Sequence, residues 1–319
     1  MRLAPPAFWD APGHPAGALL APLGAVYASV AARRMRRAEP RRVGVPVVCT
    51  GNVTMGGVGK TPWTLLLTEH LAAMGRTPHV LTRGYGGAAK GCVRVADQAA
   101  SVVGDEARMM AAAVPVWVGA DRARTAAAAR AAGADVLLMD DGFQNPGLAK
   151  DWSFLLLSAE LPFGNGRVFP AGPLRERPGA AAARADAVVV VGEGDPSAAV
   201  ALADGKPVLR ARLELDASAL SPGEPVHAVA GIGRPERFFA ALEAAGHRVV
   251  RHAFPDHHPF TDAELRRVTD AADGTRVVTT AKDHARLPEG FADCILPLPA
   301  RMRTDEGTLD AMLCRVVAA

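Results

Sequence analysis

The feature that most restricts the fold of this chain is a glycine-rich turn between a buried-strand pattern and a helical pattern. It runs from Gly51 to Pro62, after the apolar run at 45–49 and before the helical periodicity that starts at Trp63. Glycines allow backbone N–H groups to converge on an anion, and the start of a helix adds the positive end of its dipole. The segment therefore predicts a phosphate-binding loop for a nucleoside triphosphate. A plain glycine-rich turn between strand and helix is the alternative.

The loop departs from the common phosphate-loop pattern at one position. In G-x-x-x-x-G-K-[ST] the first glycine would fall at Thr54, so the glycines at 56, 57 and 59 are expected to make the turn. Lys60 is predicted to reach the β- and γ-phosphates of the nucleotide, and the Thr61 hydroxyl to ligate Mg²⁺. The predicted nucleotide contacts are Thr54, Met55, Gly56, Gly57, Val58, Gly59, Lys60, Thr61, Pro62 and Gln144.

Length and composition limit the class of protein. A chain of 319 residues can form two domains with a large core, and 49% hydrophobic with 22% charged residues is a globular composition. The net charge of +3 is too small to indicate nucleic-acid binding. The four cysteines form no Cys-x-x-Cys pair, which favours a reduced cytosolic protein without a disulfide framework or a zinc site.

Apolar strand patterns alternate with helical patterns along most of the chain. This alternation predicts an α/β fold of the P-loop NTPase type, with a mainly parallel sheet flanked by helices. A proline- and glycine-bearing break at 221–225 precedes a second series of strands and helices. We therefore expect an N-terminal membrane-associated arm at 1–42, a P-loop domain at 43–220 and a smaller C-terminal α/β domain at 221–319.

The arm combines an uncharged apolar stretch with a cluster of arginines. Residues 15–32 carry no charge, and large apolar side chains recur on one helical face. The apolar residues are Leu19, Leu20, Leu23, Val26, Tyr27 and Val30, and the arginines are Arg33, Arg34, Arg36, Arg37, Arg41 and Arg42. Because the run is slightly short for a membrane span and the charges follow it, we predict an interfacial helix with a polybasic edge. A helix packed on its own domain, with a solvated basic end, is the alternative.

Two acidic pairs, Asp140-Asp141 and Asp105-Glu106, lie at the ends of predicted elements, where metal-binding or catalytic carboxylates are expected. Asp140 and Asp141 end an apolar strand, where a P-loop protein places the carboxylate that binds Mg²⁺; a surface turn is the alternative. Asp105 begins a predicted helix, which it could simply cap, but it could also act as the general base for an acceptor hydroxyl. A histidine would tune such a base, and His257 in the second domain is a candidate.

Three arginines are candidates to bind anionic substrate groups or transition-state charge. They are Arg83, Arg122 and Arg175, and each has an ordinary structural or solvated role as its alternative. Arg175 and Glu176 follow a segment at 165–174 that is rich in turn-forming residues, which indicates a shaped loop. We therefore assign these three arginines and Glu176 to substrate binding.

Taken in order, these motifs resemble the tetraacyldisaccharide 4′-kinase family, the lipid A 4′-kinases of Gram-negative bacteria. The similar stretches span almost the whole chain and, besides the arginine-ended arm and the phosphate loop, are Phe8-Trp9, Arg83-Gly84-Tyr85-Gly86-Gly87, Gly104-Asp105-Glu106, Asp140-Asp141-Gly142-Phe143-Gln144, Pro170-Ala171-Gly172-Pro173-Leu174-Arg175-Glu176 and Asp256-His257. Several are weak alone, but their order is specific.

The resemblance implies a phosphotransferase with an alcohol group as acceptor. It would transfer the γ-phosphate of ATP to the 4′-hydroxyl of tetraacyldisaccharide 1-phosphate, giving lipid IVA, at the cytoplasmic face of the bacterial inner membrane. By the match, Lys60 and Thr61 would hold phosphate and Mg²⁺, and Asp140 or Asp141 would complete the metal site. Asp105 would take the hydroxyl proton, tuned by His257. The implied partners are the lipid-linked glucosamine disaccharide and the membrane surface, without nucleic acid, and the chain would be a monomer.

Three positions depart from the family pattern, and two other functions stay open. The family usually has His at Asn145, Pro at Ala107 and Glu at Ala281, so a role for a carboxylate at 281 is in doubt here. One other function is a membrane-associated switch or partitioning ATPase, although such proteins usually carry lysine where this chain has Met55. The other is a P-loop kinase for a soluble metabolite.

Overall fold

The structure is a computed structural model that describes residues 6–318. Residues 1–5 of the predicted arm and residue 319 of the predicted second domain lie outside the described residues. The strands are β1 (Val47–Asn52), β2 (Pro78–Thr82), β3 (Val93–Arg94), β4 (Val116–Val118), β5 (Val136–Met139), β6 (Trp152–Ser158), β7 (Ala187–Val191), β8 (Val208–Leu215), β9 (Pro225–Ala230), β10 (Arg248–Ala253), β11 (Arg276–Thr280), β12 (Ile295–Leu298) and β13 (Ala300–Thr304). The α-helices are α1 (Pro15–Arg37), α2 (Lys60–Ala73), α3 (Ala100–Val103), α4 (Asp105–Met110), α5 (Arg122–Ala131), α6 (Pro178–Ala182), α7 (Ser197–Ala203), α8 (Pro235–Ala244), α9 (Asp262–Ala272), α10 (Ala281–His284) and α11 (Glu306–Ala318), and a short 3-10 helix spans Ala7–Asp10.

Nine strands form the larger sheet, in the order β13-β8-β7-β6-β1-β5-β2-β4-β3. Its inner strands are parallel, and only the two edge strands, β3 and β13, pair antiparallel with their neighbours. β1 and β5 are buried at every position because helices cover both faces of the sheet. This arrangement confirms the predicted α/β fold with a mainly parallel sheet.

Alternate residues of the central strands enter two separate hydrophobic cores. On one face, Val48 of β1 joins the core that contains Trp63 and Leu67 of α2. On the other face, Val47 joins the core that contains Ala126 of α5. The period-two alternation of a strand explains why consecutive apolar residues are buried on opposite faces. The sheet is therefore held rigidly, and its carboxyl end can position side chains accurately.

The smaller sheet has four parallel strands in the order β10-β9-β11-β12. α8 packs on it through Phe239, which is fully buried, and α9 packs through Leu265. α9 begins with a capping box in which Thr261 and Glu264 bind each other's backbone N–H groups. The second strand–helix series predicted after the break at 221–225 thus forms a sheet of its own.

The sheets correct the expected extent of the second domain. β13 lies beyond the smaller sheet in the chain, yet it pairs with β8 of the larger sheet. Met302 of β13 and Leu309 and Leu313 of α11 are buried in the core beside α2. The smaller sheet therefore spans 225–298 and is inserted within the larger unit instead of continuing to 319. A short strand with alternating arginines does not reveal its partner, so the sequence could not show this return.

Helix α1 contacts the rest of the chain through its small residues. Gly17, Gly24 and Ala28 are buried, and a Cβ added at Gly24 would lie 2.7 Å from the carbonyl oxygen of Val168. The large apolar face points away, with Leu19 81% exposed. The helix has 23 residues and is mostly apolar, so by length and composition it could cross a membrane.

Candidate functional site

The phosphate-loop segment joins β1 to α2 at the carboxyl end of the larger sheet. α2 begins directly after Gly59, whose φ of 87° is a left-handed conformation that favours glycine. An added Cβ at Gly59 would lie 2.7 Å from Cε of Met302, so a side chain there would force the methionine to move. Within residues 6–318 no side chain caps the start of α2, which leaves the N–H groups of its first turn available to an anion. This geometry suits a phosphate group.

Asp140, directly after β5, lies against the start of α2. Oγ1 of Thr61 donates to its Oδ2 at 3.1 Å, and Oγ1 of Thr64 donates to its Oδ1 at 3.1 Å. Burial of the carboxyl group, reinforced by the charges of Glu106 and Asp141, raises the pKa of Asp140 to about 7. A nearby cation would favour the ionised form, and a carboxylate beside a hydroxyl is an oxygen pair that Mg²⁺ can use.

Asp141 faces the basic side of the loop. Its φ of 52° is left-handed, which is uncommon for a residue other than glycine and frequent at functional sites. Nη1 of Arg175 donates to its two carboxylate oxygens at 2.8 and 2.9 Å, and Nζ of Lys60 lies 3.8 Å from Oδ1. Burial acts to raise the pKa of Asp141, but Lys60 and Arg175 outweigh it and hold the pKa below its ordinary value. The structure thus brings five predicted site residues together here: Lys60, Thr61, Asp140, Asp141 and Arg175.

Arg175 and Glu176 belong to a hydrogen-bonded chain that leads away from these carboxylates. Nε of Arg175 donates to the carbonyl of Thr54 at 3.2 Å, and its Nη1 donates to Oε1 of Gln144 at 3.4 Å. Nε2 of Gln144 donates to Oε1 of Glu176 at 3.0 Å. Arg184 donates to both oxygens of Glu176 at 2.8 Å. Residues predicted as separate nucleotide and substrate contacts are therefore members of one network that fixes the loop.

A second polar centre lies where the smaller sheet meets α4. Nδ1 of His257 is 2.6 Å from Oδ2 of Asp105, although the two residues are 152 positions apart. Burial acts to raise the pKa of Asp105, but the hydrogen bond and charge of His257, and then the charge of Arg286, keep it below its ordinary value. His257 has a left-handed φ of 58°, and its N–H donates to the carbonyl of Gly231 at 3.0 Å. The backbone therefore directs this imidazole toward Asp105.

Two cations of the smaller unit approach this pair and were not predicted as site residues. Nζ of Lys282, in α10, lies 3.4 Å from Nε2 of His257. Nη1 of Arg286, which follows α10, lies 3.8 Å from Oδ2 of Asp105. No local sequence pattern connects this helix to residues 105 or 257, so only the tertiary structure shows the contact. The sole signal in the sequence is that two basic residues stand four positions apart, about one helical turn.

Thr64 was also missed at the first centre, although the sequence contains a signal for it. It follows Thr61 by three positions, and residues at this spacing share one face of a helix. Both hydroxyls bind the Asp140 carboxylate, so the pair acts together in holding it. A threonine one turn after the phosphate-loop threonine could therefore have been assigned to this site.

Arg83 and Arg122 are placed differently from each other. Arg83 is exposed after β2, whereas Arg122 is 4% exposed at the start of α5 and donates to the carbonyl of Gly119. Burial and then the charge of Arg83 lower the pKa of Arg122 to about 10, while Asp140 and Asp141 oppose this shift. The Arg122 guanidinium thus lies within electrostatic range of the carboxylates. Substrate binding by either arginine stays a prediction.

The matches between this chain and known proteins cover both sheets. A family model described as tetraacyldisaccharide-1-P 4′-kinase matches residues 16–318. A tetraacyldisaccharide 4′-kinase of Nitrobacter winogradskyi is 47% identical over 318 residues, which cover 95% of this chain and 94% of the relative. One from Rhodospirillum centenum is 46% identical over 325 residues, covering 98% and 96%.

A solved structure has the same architecture. It is LpxK from Aquifex aeolicus, described as an "apo" form in complex with ATP. It superimposes with a TM-score of 0.77 at 26% sequence identity and covers 94% of this chain and 99% of its own. The similarity therefore spans the larger sheet and the inserted smaller sheet.

Proposed function

The chain belongs to the tetraacyldisaccharide-1-P 4′-kinase family and is a kinase, and we propose that it phosphorylates the 4′-hydroxyl of a tetraacyldisaccharide 1-phosphate with ATP, giving lipid IVA. The observation that carries this proposal is the pairing of two centres. A phosphate loop with adjacent carboxylates is suited to hold the donor, and the Asp105–His257 pair is suited to activate an acceptor hydroxyl. A nucleotide switch needs the first centre but has no use for the second.

The residues of the phosphate loop fit ATP with Mg²⁺. Lys60 and the first turn of α2 would hold the phosphates, and Thr61 with Asp140 or Asp141 would hold the metal ion. When bound, Mg²⁺ would neutralise charge on the phosphate oxygens. Oδ1 of Asn52, at the end of β1, is buried without a hydrogen-bond partner among the described residues, as expected where a polar site takes a ligand or water. The two carboxylates and the hydroxyl are oxygen donors of the kind that Mg²⁺ prefers.

Asp105 is the base in this proposal. Its carboxylate would accept the proton of the 4′-hydroxyl, while His257 holds Oδ2 through Nδ1 at 2.6 Å. Because the pKa of Asp105 lies below its ordinary value, the group is ionised at neutral pH and ready to accept a proton. Much of the remaining catalysis would come from positioning the donor and acceptor and from charge neutralisation by Lys60 and Arg175.

Helix α1 supports an interfacial position at the cytoplasmic face of the inner membrane. Its small residues face the protein, and its large apolar residues are exposed, with Leu23 at 58% and Val26 at 63%. Basic side chains fill its last turn. An exposed apolar face beside a cluster of arginines matches an anionic membrane, where each arginine contributes about 1 kcal/mol. The lipid substrate lies in that same surface.

Phosphotransfer is tested by mixing the purified protein with detergent, Mg²⁺, γ-labelled ATP and tetraacyldisaccharide 1-phosphate. We expect label in a lipid bisphosphate for the wild type and for Asp97→Asn, a control at an exposed carboxylate. Asp105→Asn is expected to lower kcat by at least roughly 10²-fold with ATP affinity unchanged. ATP hydrolysis without lipid labelling would contradict the proposal and favour the switch ATPase. Equal labelling of a soluble, unacylated sugar would favour a metabolite kinase.

Membrane contact is tested by sedimentation with vesicles that contain anionic lipid. Leu19→Gln combined with Leu23→Gln is expected to reduce binding, because both side chains belong to the exposed face of α1. Val250→Gln is the matched control, since this apolar residue is 48% exposed on the smaller sheet. Equal binding of the double variant and the control would show that α1 does not contact the bilayer through this face.

A further inference from the structure

The first half of the phosphate loop is held in place by a later segment of the chain. Thr54, which stands where the common pattern has its first glycine, forms an antiparallel β-bridge with Leu174. Two backbone hydrogen bonds, of 2.6 and 2.7 Å, join residues 53–55 to residues 173–175 on either side of this bridge. A glycine at position 54 would leave the backbone free to turn, whereas pairing with a second segment fixes it. The loop therefore takes part of its shape from residues outside its own sequence.

Leu174 is itself held by the residues that precede it. It forms a second, parallel β-bridge with Val168. The N–H of Phe169 donates to the carbonyl of Leu174 at 2.9 Å, and the N–H of Leu174 donates to the carbonyl of Arg167 at 3.1 Å. Leu174 is 1% exposed, in a hydrophobic core of the larger unit. The 165–175 segment therefore folds back on itself beside the phosphate loop.

Helix α1 packs on the same 165–175 segment. An added Cβ at Gly24 would lie 2.7 Å from the carbonyl oxygen of Val168 and 3.5 Å from Cβ of Ala171, so glycine permits a close approach of the helix here. From the arm inward, the successive layers are α1, residue 168, residue 174 and residue 54. Each layer contacts the next, so a shift of the 165–175 segment away from α1 would reach the phosphate loop.

Asn165 joins the start of the arm to this segment. Its Nδ2 donates to the carbonyl of Phe8 at 3.1 Å and to the carbonyl of Ala171 at 3.0 Å. Its Oδ1 accepts from the N–H of Arg167 at 3.0 Å. Its own N–H donates to the carbonyl of Trp9 at 2.6 Å. One residue thus ties both ends of the turn at 165–171 to the short helix that precedes α1.

The shape of the phosphate loop matters because several of its N–H groups have to bind one anion. They can do so only when they converge on it, which requires the loop to be held close to its binding geometry. The 165–175 segment also carries Arg175, whose Nη1 donates to both carboxylate oxygens of Asp141 at 2.8 and 2.9 Å. A shift of the segment would therefore move the loop backbone and a cation of the same site together.

We propose that the 165–175 segment is a positioning element that gives the phosphate loop its nucleotide-binding shape, and that docking of the arm on this segment is required for ATP affinity as well as for contact with a membrane. The inference rests on the proposed binding of ATP, and it deepens that proposal by naming the residues that shape the loop. The two faces of α1 then have separate roles. The large apolar residues contact the bilayer, and the small residues hold the segment in place.

The test is the affinity for ATP with Mg²⁺, measured by isothermal titration calorimetry on the full chain in detergent and without lipid substrate. We expect Gly24→Val to lower the affinity by roughly tenfold, because the added side chain would displace the backbone at Val168 from its place beside the loop. Asn165→Ala removes three side-chain hydrogen bonds and should cause a similar loss. Ala25→Val is the matched control, since it adds the same kind of side chain at an exposed position of the same helical turn.

The combined Leu19→Gln and Leu23→Gln variant separates the two roles of the arm. It should lose binding to anionic vesicles and keep the wild-type affinity for ATP, because both side chains point away from the 165–175 segment. Gly24→Val should show the reverse, with vesicle binding kept and ATP affinity reduced. In turnover with the lipid, Gly24→Val should raise the KM for ATP and change the KM for the lipid little. A residue that only stabilised the fold would lower the melting temperature without changing the ATP affinity of the folded protein.

Wild-type ATP affinity in folded Gly24→Val and Asn165→Ala proteins would overturn the inference. An equal loss of affinity in the Leu19→Gln and Leu23→Gln variant would overturn it too, since contact with detergent would then account for the effect. If Asn165→Ala or Gly24→Val fails to fold, Gly24→Ala gives the same comparison with a smaller side chain. ATP binding is measured without lipid, so a wild type that binds ATP and does not phosphorylate the lipid would reject the proposed substrate alone.

Discussion

The two polar centres are built in different ways. At the proposed nucleotide centre, Thr61 lies in the first turn of α2, the helix that follows β1, and Asp140 directly follows β5. β1 and β5 are neighbours in one parallel sheet and are buried on both faces. At the proposed acceptor centre, Asp105 and His257 come from separate units and meet across 152 positions of the chain. The first centre is fixed by one sheet, whose two faces are both covered by cores of the larger unit. The second depends on how the smaller sheet packs against the larger one.

The two centres also differ in burial and in how rigidly their side chains are held. Asp140 is 1% exposed, and its partners belong to the same rigid framework. The side chains of His257 and Asp105 are 19% and 15% exposed, and their contacts disappear if the two units separate. In the proposed reaction, the kinase has to hold the donor tightly yet admit and release a bulky lipid acceptor. A rigid donor site beside an acceptor site that two units assemble fits that requirement.

The largest effect that separates the centres is expected for Lys60→Met. Loss of the ammonium group removes the charge that pairs with Asp141 and would bind phosphate, so ATP affinity should fall by roughly 10²-fold. Asp105→Asn should leave ATP affinity unchanged, since that residue belongs to the acceptor centre. Isothermal titration calorimetry with ATP and Mg²⁺ measures both. Equal losses in the two variants would mean that the centres bind nucleotide as one site.

A packing variant beneath the phosphate loop should destabilise the rigid centre. A Cβ added at Gly51, in β1, would overlap the Cβ of Phe143, and both residues are buried. Gly51→Ala is therefore expected to lower the free energy of unfolding by about 1–3 kcal/mol. Gly57→Ala, where nothing lies within 4 Å of the added Cβ, is the control and should change it little. Chemical denaturation measures both, and similar values would contradict the close contact.

Variants in the hydrogen-bonded network behind the loop should lower the stability by a smaller amount. That amount should depend on whether a buried charge is left unpaired. Arg184→Met leaves the Glu176 carboxylate buried with neutral Gln144 as its remaining hydrogen-bond partner among the described residues, and about 1–2 kcal/mol of stability should be lost. Glu176→Gln leaves no unpaired carboxylate and should cost less. Thermal unfolding of the two variants provides the measurement. A larger loss of stability in Glu176→Gln than in Arg184→Met would show that the fold depends on the carboxylate itself and not on the pairing of its charge by Arg184.

The smallest effect concerns the pH dependence of stability at the acceptor centre. Burial alone would raise the pKa of Asp105, but His257 and Arg286 hold it below the ordinary value. An ionised Asp105 therefore stabilises the fold above the unfolded pKa, and this contribution is lost as the pH falls through the folded pKa. After solvent screening it is less than about 1 kcal/mol. Denaturation between pH 2 and 6 should show a shallower acid loss for Asp105→Asn, and parallel curves would contradict the shift.

The grouping of the phosphate loop with Asp140 and Asp141 could be predicted from the sequence because its determinants are local. The strand before Gly51, the turn ending at Gly59 and the double aspartate after β5 are each short patterns, and parallel strands bring their carboxyl ends to one edge. The acceptor centre is different. The pairing of Asp105 with His257 was implied by the family resemblance, and the contacts of Lys282 were not predicted at all.

The extent of the smaller unit was not predictable for a related physical reason. β13 has the pattern of an exposed edge strand, with Met302 as its one buried residue, and pairing with β8 depends on the position of the whole inserted sheet. The membrane arm was predicted as an amphipathic helix. Its contact with the protein through Gly17 and Gly24, with the large residues outward, follows from close backbone packing at the 165–171 segment, which periodicity alone does not show.

The return of β13 to the larger sheet also sets an order for biosynthesis. On the ribosome, β1 and α2 emerge long before β13, so the phosphate loop exists while the neighbour of Gly59, Met302, has not yet been translated. Segments fold as they emerge, but the larger unit can close only after the inserted sheet has been made. The nascent chain therefore completes its two units nearly together, and a ribosome stalled within the insertion would display an α2 that lacks its cover from β13 and α11.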